Sequence, residues 1–198
     1  MRKWAVMIGA AIVVSVSGVA FPAAAAPVLL PRAGQVGFGG QGQYGTLLQS
    51  GSLGEDFGSG AGFTVRLRYR MRFERAIGLS FERQGFEIRD ASAADTAATQ
   101  MTLITAGAEI YQLFGTRTRT TKMVSVGAGL AQASKNLNND ETEFVNDGVY
   151  VSVGAGIEHF FWRSWAYDVS TRYLLVFQDA KTNHDFQVSF GFMFYASQ

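Results

Sequence analysis

Alternation of apolar and polar side chains constrains the fold of this chain more than any other sequence feature. It is sharpest between residues 63 and 72, where Phe63, Val65, Leu67, Tyr69 and Met71 alternate with Thr64, Arg66, Arg68, Arg70 and Arg72. Successive side chains of a β-strand point to opposite faces, so this segment would have one apolar face and one face of arginines. A helix would spread the same arginines around its circumference. The pattern therefore predicts an amphipathic strand.

The same period of two recurs along the rest of the chain. It is clear in residues 77–82, 124–131, 149–158, 165–177 and 186–194, and weaker in residues 35–44 and 100–113. All three prolines (Pro22, Pro27 and Pro31) precede these segments. That placement is expected when every strand must donate its backbone N–H groups to a ladder. The sequence therefore predicts an all-β protein of eight strands.

The predicted connections between the strands alternate in length. Those at residues 46–60, 90–98, 134–147 and 179–184 are polar and mostly long, whereas those at 73–75, 115–120 and 163–164 are short. Long outer loops and short periplasmic turns are typical of bacterial outer-membrane barrels. The predicted fold is therefore an eight-stranded antiparallel up-and-down transmembrane β-barrel.

The composition favours this barrel over a soluble one. Hydrophobic residues make up 47% of the chain and are dispersed, and charged residues make up only 17%, against about 25% in ordinary soluble domains. A soluble barrel such as a lipocalin would also alternate, but with its apolar face around a ligand and its charges outside. Here the polar face combines glycine and serine with charges of both signs, which suits a narrow, filled lumen.

The first 25 residues are typical of a secretory signal peptide. Arg2 and Lys3 form a basic start, residues 5–19 are apolar and uncharged, and residues 23–26 offer small-residue cleavage sites. Cleavage after Ala25 is favoured over cleavage after Ala26, which would leave Pro27 directly at the new terminus. We expect a signal peptide at residues 1–25, a barrel domain at 26–198, and a location in the cell outer membrane. Without Arg2 and Lys3 the charges nearly balance, so no nucleic-acid partner is expected.

Nine charged positions share the parity that is predicted to face the lumen. They are Arg66, Arg68, Arg70, Arg72, Arg172, Glu82, Glu109, Glu158 and Asp168. Unpaired charges in a narrow lumen would cost several kcal/mol each, so they must pair or stay hydrated. The interior of an eight-stranded barrel is about filled by side chains. We therefore expect a structural salt-bridge network, with an arginine-lined ion path as the alternative.

Aromatic residues gather near the ends of the strands that run toward the periplasm and near the adjoining turns. The predicted girdle contains Tyr69, Phe73, Tyr111, Phe160, Phe161, Trp162, Trp165, Phe194 and Tyr195. Amphipathic rings of this kind sit at the headgroup boundary of a membrane.

Several segments resemble known barrel strands. The sequence Val-Ser-Val-Gly-Ala-Gly at residues 124–129 recurs at 151–156, and Gly107-Ala108-Glu109 is similar to Gly156-Ile157-Glu158. On these segments the chain resembles the small OmpA/OmpX-type barrels and the porin-like outer-membrane β-barrel family. The last strand, with Gly191 and Phe194, resembles the C-terminal signal read by the barrel-assembly machinery, although it ends in Ala-Ser-Gln rather than an aromatic residue. The resemblance implies a monomer whose partners are that machinery, outer-membrane lipid and lipopolysaccharide.

Three classes of function stay open for such a barrel. The first is a structural or surface-interaction protein with mobile outer loops; the second is a narrow OmpW-like channel for small solutes; the third is a lipid-directed enzyme. A barrel deacylase would carry a serine two residues after its histidine, but Phe161 and Phe186 follow His159 and His184. We therefore expect no catalytic residues. No cofactor or metal is expected either, because the acidic stretch at residues 140–147 lacks the ordered ligand ladder of a calcium loop.

Overall fold

The computed structural model describes residues 32–49, 52–72, 74–89, 98–137, 142–178 and 181–196; the predicted signal peptide lies outside these ranges. Within them the chain forms eight strands and one short helix. The elements are β1 (Val36–Leu47), α1 (Ser52–Asp56), β2 (Ser59–Arg72), β3 (Arg75–Glu87), β4 (Ala98–Phe114), β5 (Thr120–Leu137), β6 (Thr142–Trp162), β7 (Trp165–Gln178) and β8 (Lys181–Tyr195). Each strand pairs antiparallel with the next, and β1 pairs with β8 to close the barrel. The predicted eight-stranded up-and-down barrel is confirmed.

Side chains alternate between the exterior and the interior of the closed barrel, as the sequence pattern predicts. In β2, Arg66, Arg68 and Arg70 are buried inside, whereas Leu67 and Tyr69 are each 42% exposed on the outside. The exterior of the strands is dominated by large apolar side chains of this kind. None of the helices in the described part of the chain is long and apolar enough to cross a membrane.

Two of the outer connections are shorter than expected. β5 and β6 pair as far as Asn136 and Thr142, and β7 and β8 pair as far as Gln178 and Lys181. The expected connections at 134–147 and 179–184 are therefore mostly strand. A backbone ladder forms regardless of side-chain polarity, so polar residues can extend a hairpin beyond the apolar part of the barrel.

The two ends of the barrel differ in how they are closed. The end that carries Val36, Tyr195 and three short turns is called the terminus end here, and the opposite end the loop end. At the loop end α1 folds into the mouth, where Leu53 and Phe57 are 3% and 1% exposed. The Leu53 N–H donates to Asn183 Oδ1 at 2.9 Å, and Arg89 Nη2 donates to the Leu47 carbonyl at 2.6 Å. These contacts hold the connection between β1 and β2 inside the barrel.

The folded-in connection completes an apolar cluster that we call the loop-end plug. Its buried members are Leu47, Leu53, Phe57, Phe86, Met101, Leu103, Ala131, Ala133, Tyr150, Leu174 and Val176. They come from the strands that line the mouth of the barrel, from α1 and from Phe57, which follows α1. The plug therefore separates the polar middle of the lumen from the loop end.

The assignment of alternate side chains to the exterior can be tested with an arginine placed on the apolar face. Val126 is 65% exposed and lies near the middle of the apolar face of β5. We expect Val126→Arg to lower the free energy of unfolding in lipid vesicles by about 2–4 kcal/mol, because a charge at the bilayer midplane must be dehydrated. The matched variant Val36→Arg, at the edge of the apolar face, should cost no more than about 1 kcal/mol. Equal losses in a urea titration would contradict this assignment of faces.

Candidate functional site

Eight of the nine charged residues predicted for the lumen lie inside the barrel and are buried. The exception is Arg72, so the prediction that Arg72 belongs to the lumen network is wrong. The register of β2 against β3 shifts between Arg70 and Arg72, where β2 gives way to the turn. The alternation ends at that point, and the Arg72 side chain is exposed.

One group of ion pairs joins opposite walls of the barrel. Arg68 and Arg70 extend from β2, and Glu158 lies on β6, four strands away around the ring. Arg68 Nη1 is 3.1 Å from Glu158 Oε1, and Arg70 Nη2 is 2.5 Å from Glu158 Oε2. Arg68 Nη2 also reaches Asp168 Oδ2 on β7 at 3.2 Å. We call this group, with the Tyr195 hydroxyl that donates to Glu158 Oε1 at 2.6 Å, the first cross-lumen cluster.

A second group crosses the barrel between β7 and the pair β3 and β4. Arg172 Nη2 is 3.0 Å from Glu109 Oε1, and Arg172 Nη1 forms an ion pair with Glu82. The Tyr111 hydroxyl donates to Glu109, and the Thr105 hydroxyl donates to Glu82 Oε2 at 3.2 Å. We call this group the second cross-lumen cluster.

The two clusters contact each other through an aromatic ring. The Arg68 guanidinium lies 4.4 Å from the centre of the Tyr111 ring, a cation–π distance. Arg66 forms no salt bridge within the described residues, and its Nη1 donates to Ser170 Oγ at 3.3 Å. The side chains of Arg68, Glu158 and Asp168 have zero exposure to water. The middle of the lumen is therefore filled by ionic and hydrogen-bonded side chains.

Inward-facing glycines provide the space for these large side chains. A Cβ atom on Gly154 would lie 2.9 Å from Arg172 Cγ, and one on Gly37 would lie 2.5 Å from the Tyr195 ring. Both distances are shorter than ordinary carbon contacts. The glycines on the polar face thus allow arginine and tyrosine to cross the lumen.

Three residues of the predicted aromatic girdle point into the lumen instead. Tyr111, Phe160 and Tyr195 are 3%, 0% and 1% exposed. Tyr111 and Phe160 share the strand parity of Glu109 and Glu158, so their assignment to the exterior was wrong. The alternation itself would have placed them correctly.

The remaining described girdle residues lie on the outside at the terminus end. Tyr69, Phe161, Trp162, Trp165 and Phe194 are all exposed there, and Phe73 lies outside the described residues. That these rings lie at the level of the lipid headgroups stays a prediction.

Sequence reasoning missed a polar layer between the second cross-lumen cluster and the loop-end plug. Gln43 Nε2 and Gln187 Nε2 each donate to Gln84 Oε1 at 3.1 Å, and Gln187 also donates to buried Asp185 at 2.8 Å. Asp185 shares the parity of Gln187 and could have been found from the alternation. Leu53 and Phe57 of the loop-end plug had no comparable signal, because this segment reaches the lumen only through tertiary contacts.

The two histidines lie away from the lumen clusters. His159 Nδ1 is 2.8 Å from Thr120 Oγ1, and its ring stacks on Tyr167. His184 Nδ1 is 2.5 Å from the Tyr173 hydroxyl. Among the described residues, neither imidazole is hydrogen-bonded to a serine or a carboxylate, and no group of acidic or histidine side chains is arranged to hold a metal.

Comparison of the sequence with known families gives a match to the outer membrane protein β-barrel domain over residues 11–194. Members of that family are mostly barrels without enzymatic activity. A search of curated proteins finds no significant relative.

Solved structures share the fold at low sequence identity. Neisserial surface protein A is 16% identical with a TM-score of 0.58, over 80% of this chain and 96% of its own. OprG from Pseudomonas aeruginosa is 10% identical with a TM-score of 0.57, over 84% and 98%. Ail, the attachment invasion locus protein of Yersinia pestis, is 13% identical with a TM-score of 0.53, over 82% and 99%.

Removing one carboxylate tests whether the first cross-lumen cluster is structural. Glu158→Ala would leave the charges of Arg68 and Arg70 without this partner in a dry site. We expect the free energy of unfolding, measured by urea titration in vesicles, to fall by about 3–5 kcal/mol. The control Arg72→Gln removes an exposed charge and, in vesicles of zwitterionic phosphatidylcholine, should stay within about 0.5 kcal/mol of the parent protein. Similar values for the two variants would contradict a buried, structural cluster.

Proposed function

This chain belongs to the outer-membrane β-barrel family, and we propose that it serves in the outer membrane as a closed scaffold that presents its loop end at the cell surface. The observation that carries this proposal is the pair of cross-lumen clusters, whose central side chains are inaccessible to water. A conducting pore would need a continuous water path past Arg68 and Arg172. The loop-end plug adds an apolar barrier in series with the clusters.

The long β5–β6 hairpin supports a role in surface presentation. β5 has 18 residues and β6 has 21, whereas a tilted strand crosses a bilayer with about 9–11 residues. The extra residues let the β5–β6 pairing continue as far as Asn136 and Thr142, and Gln132 Nε2 donates to Asp147 Oδ1 between the two strands at 2.9 Å. A paired hairpin holds its shape better than an unpaired loop, so it forms a defined surface for a partner.

The proposal also covers export, assembly and the absence of catalysis. Residues 1–25 would be removed as a signal peptide, and residues 26–198 would form the barrel. The C-terminal strand β8 would be read by the barrel-assembly machinery before it pairs with β1. The barrel would act as a monomer. It would lack enzymatic activity, because the described hydrogen bonds of His159 and His184 go to Thr120 and Tyr173, and no carboxylate orients either imidazole as a general base.

Planar-bilayer recording tests the closed lumen. We expect negligible conductance from the refolded parent protein, because ionic clusters and the loop-end plug block the lumen in series. The double variant Arg68→Ala with Phe57→Ala should conduct more, since it thins both barriers, and Arg72→Ala should behave as the parent protein does. Steady, ion-selective current through the parent barrel would favour a narrow solute channel instead.

Cysteine labelling on intact cells tests which end faces the medium. The chain has no native cysteine, so single cysteines report unambiguously. A membrane-impermeant maleimide should label Glu55→Cys, in the exposed part of α1, on intact cells. It should label the matched variant Arg119→Cys, at the terminus end, only after lysis. The reverse pattern would contradict presentation of the loop end.

A further inference from the structure

A cleft at the terminus end lies between two of the short turns. It has a volume of about 700 Å³ and is lined by Arg72, Glu74 and Arg75 from the β2–β3 turn and by residues 115–118 from the β4–β5 turn. The two walls are joined, because the Leu113 N–H donates to the Glu74 carbonyl at 2.8 Å. In the second wall, Gly115 has a φ of +73° and its carbonyl accepts from the Thr118 hydroxyl at 2.8 Å. The cleft is therefore held in shape by the backbone of both turns.

The cleft carries an excess of positive charge. Arg72, Arg75 and Arg117 line it together with one carboxylate, Glu74. Within the described parts of the chain, none of these three arginines forms a salt bridge, in contrast to Arg68, Arg70 and Arg172 in the lumen. Several guanidinium groups around one space match the geometry of a phosphate, whose oxygens accept hydrogen bonds from more than one of them.

The same cleft borders the apolar exterior of the barrel. Arg75 precedes the outward-facing Ile77 by two residues on β3, and Ile77 pairs with Ile110 on β4. Ile77, Ile110 and Phe114 are 42%, 65% and 50% exposed. An amphiphile could therefore place its acyl chains on these side chains while its headgroup enters the cleft.

We infer that this cleft binds the phosphate of an anionic phospholipid headgroup, with the acyl chains along Ile77, Ile110 and Phe114. Free phosphate would use the same guanidinium groups, but it would make no use of the adjoining apolar face. If the loop end faces the medium, as proposed above, the cleft at the terminus end lies at the inner leaflet of the outer membrane, and this location rests on that proposed orientation. The binding itself does not, because it can be measured on the detergent-solubilised protein.

The test is calorimetric titration of the refolded mature protein, in a non-ionic detergent, with short-chain phosphatidylglycerol. We expect saturable binding that the triple variant Arg72→Gln, Arg75→Gln, Arg117→Gln weakens by at least about tenfold, since each arginine contributes about fivefold near an anionic lipid. Phosphatidylcholine of the same chain length should bind at least about tenfold more weakly, because its net charge is zero. Retained heat-modifiable migration on a gel shows that the triple variant is folded.

A matched control separates the cleft from the general charge of this end. Arg163 lies in the β6–β7 turn, where its guanidinium is 5.6 Å from the Trp162 ring. Arg163→Gln removes one charge from the same end and should leave the affinity unchanged.

Three results would overturn the inference. They are unchanged affinity in the triple variant, an equal loss in Arg163→Gln, and binding of inorganic phosphate as tight as that of the lipid. If headgroup binding is found while the labelling of Glu55→Cys and Arg119→Cys is reversed, the cleft is real and the proposed orientation is wrong.

Discussion

A backbone N–H or C=O group without a partner in hydrocarbon costs several kcal/mol, and the rest of this structure depends on that constraint. The eight strands of the described chain satisfy it because β1 and β8 pair along the whole seam, from Gly37 and Tyr195 to Leu47 and Asp185. Once the ring is closed, every second side chain must enter a space that side chains about fill. The burial of charge and the packing of the lumen follow from this geometry.

Most of the buried charges of the lumen are held by partners on the opposite wall. Arg68 and Arg70 share Glu158, and Arg172 joins Glu82 and Glu109. The desolvation of such ions offsets much of their attraction, so the pairs are a weak source of net stability. Each charge is nevertheless costly to leave alone, which disfavours any strand register that separates the partners. The clusters thus favour one register of the strands, and in that register they fill the lumen.

The two ends of the barrel differ in how they are closed and in which residues they carry. The loop end is closed by the loop-end plug and continues into the long β5–β6 hairpin, whereas the terminus end carries short turns rich in arginine. The described turns there contain Arg72, Arg75, Arg117, Arg119 and Arg163 against Glu74. A closed middle leaves the two ends as the surfaces available for interaction, and we propose that the loop end meets the medium and the terminus end meets lipid headgroups.

The sequence by itself determined the strands, their parity and most of the lumen set, because a period of two is a local property of the chain. The same parity covers Tyr111, Phe160 and Asp185, so the alternation, continued to the strand ends, places all three in the lumen. Arg72 also fits the alternation in the sequence, but the register shift between Arg70 and Arg72 at the turn leaves its side chain outside the lumen. The tertiary structure alone decided which charges meet. Arg68 and Glu158 are 90 residues apart, and α1 enters the mouth through contacts with β8, so both depend on closure of the ring rather than on any local signal.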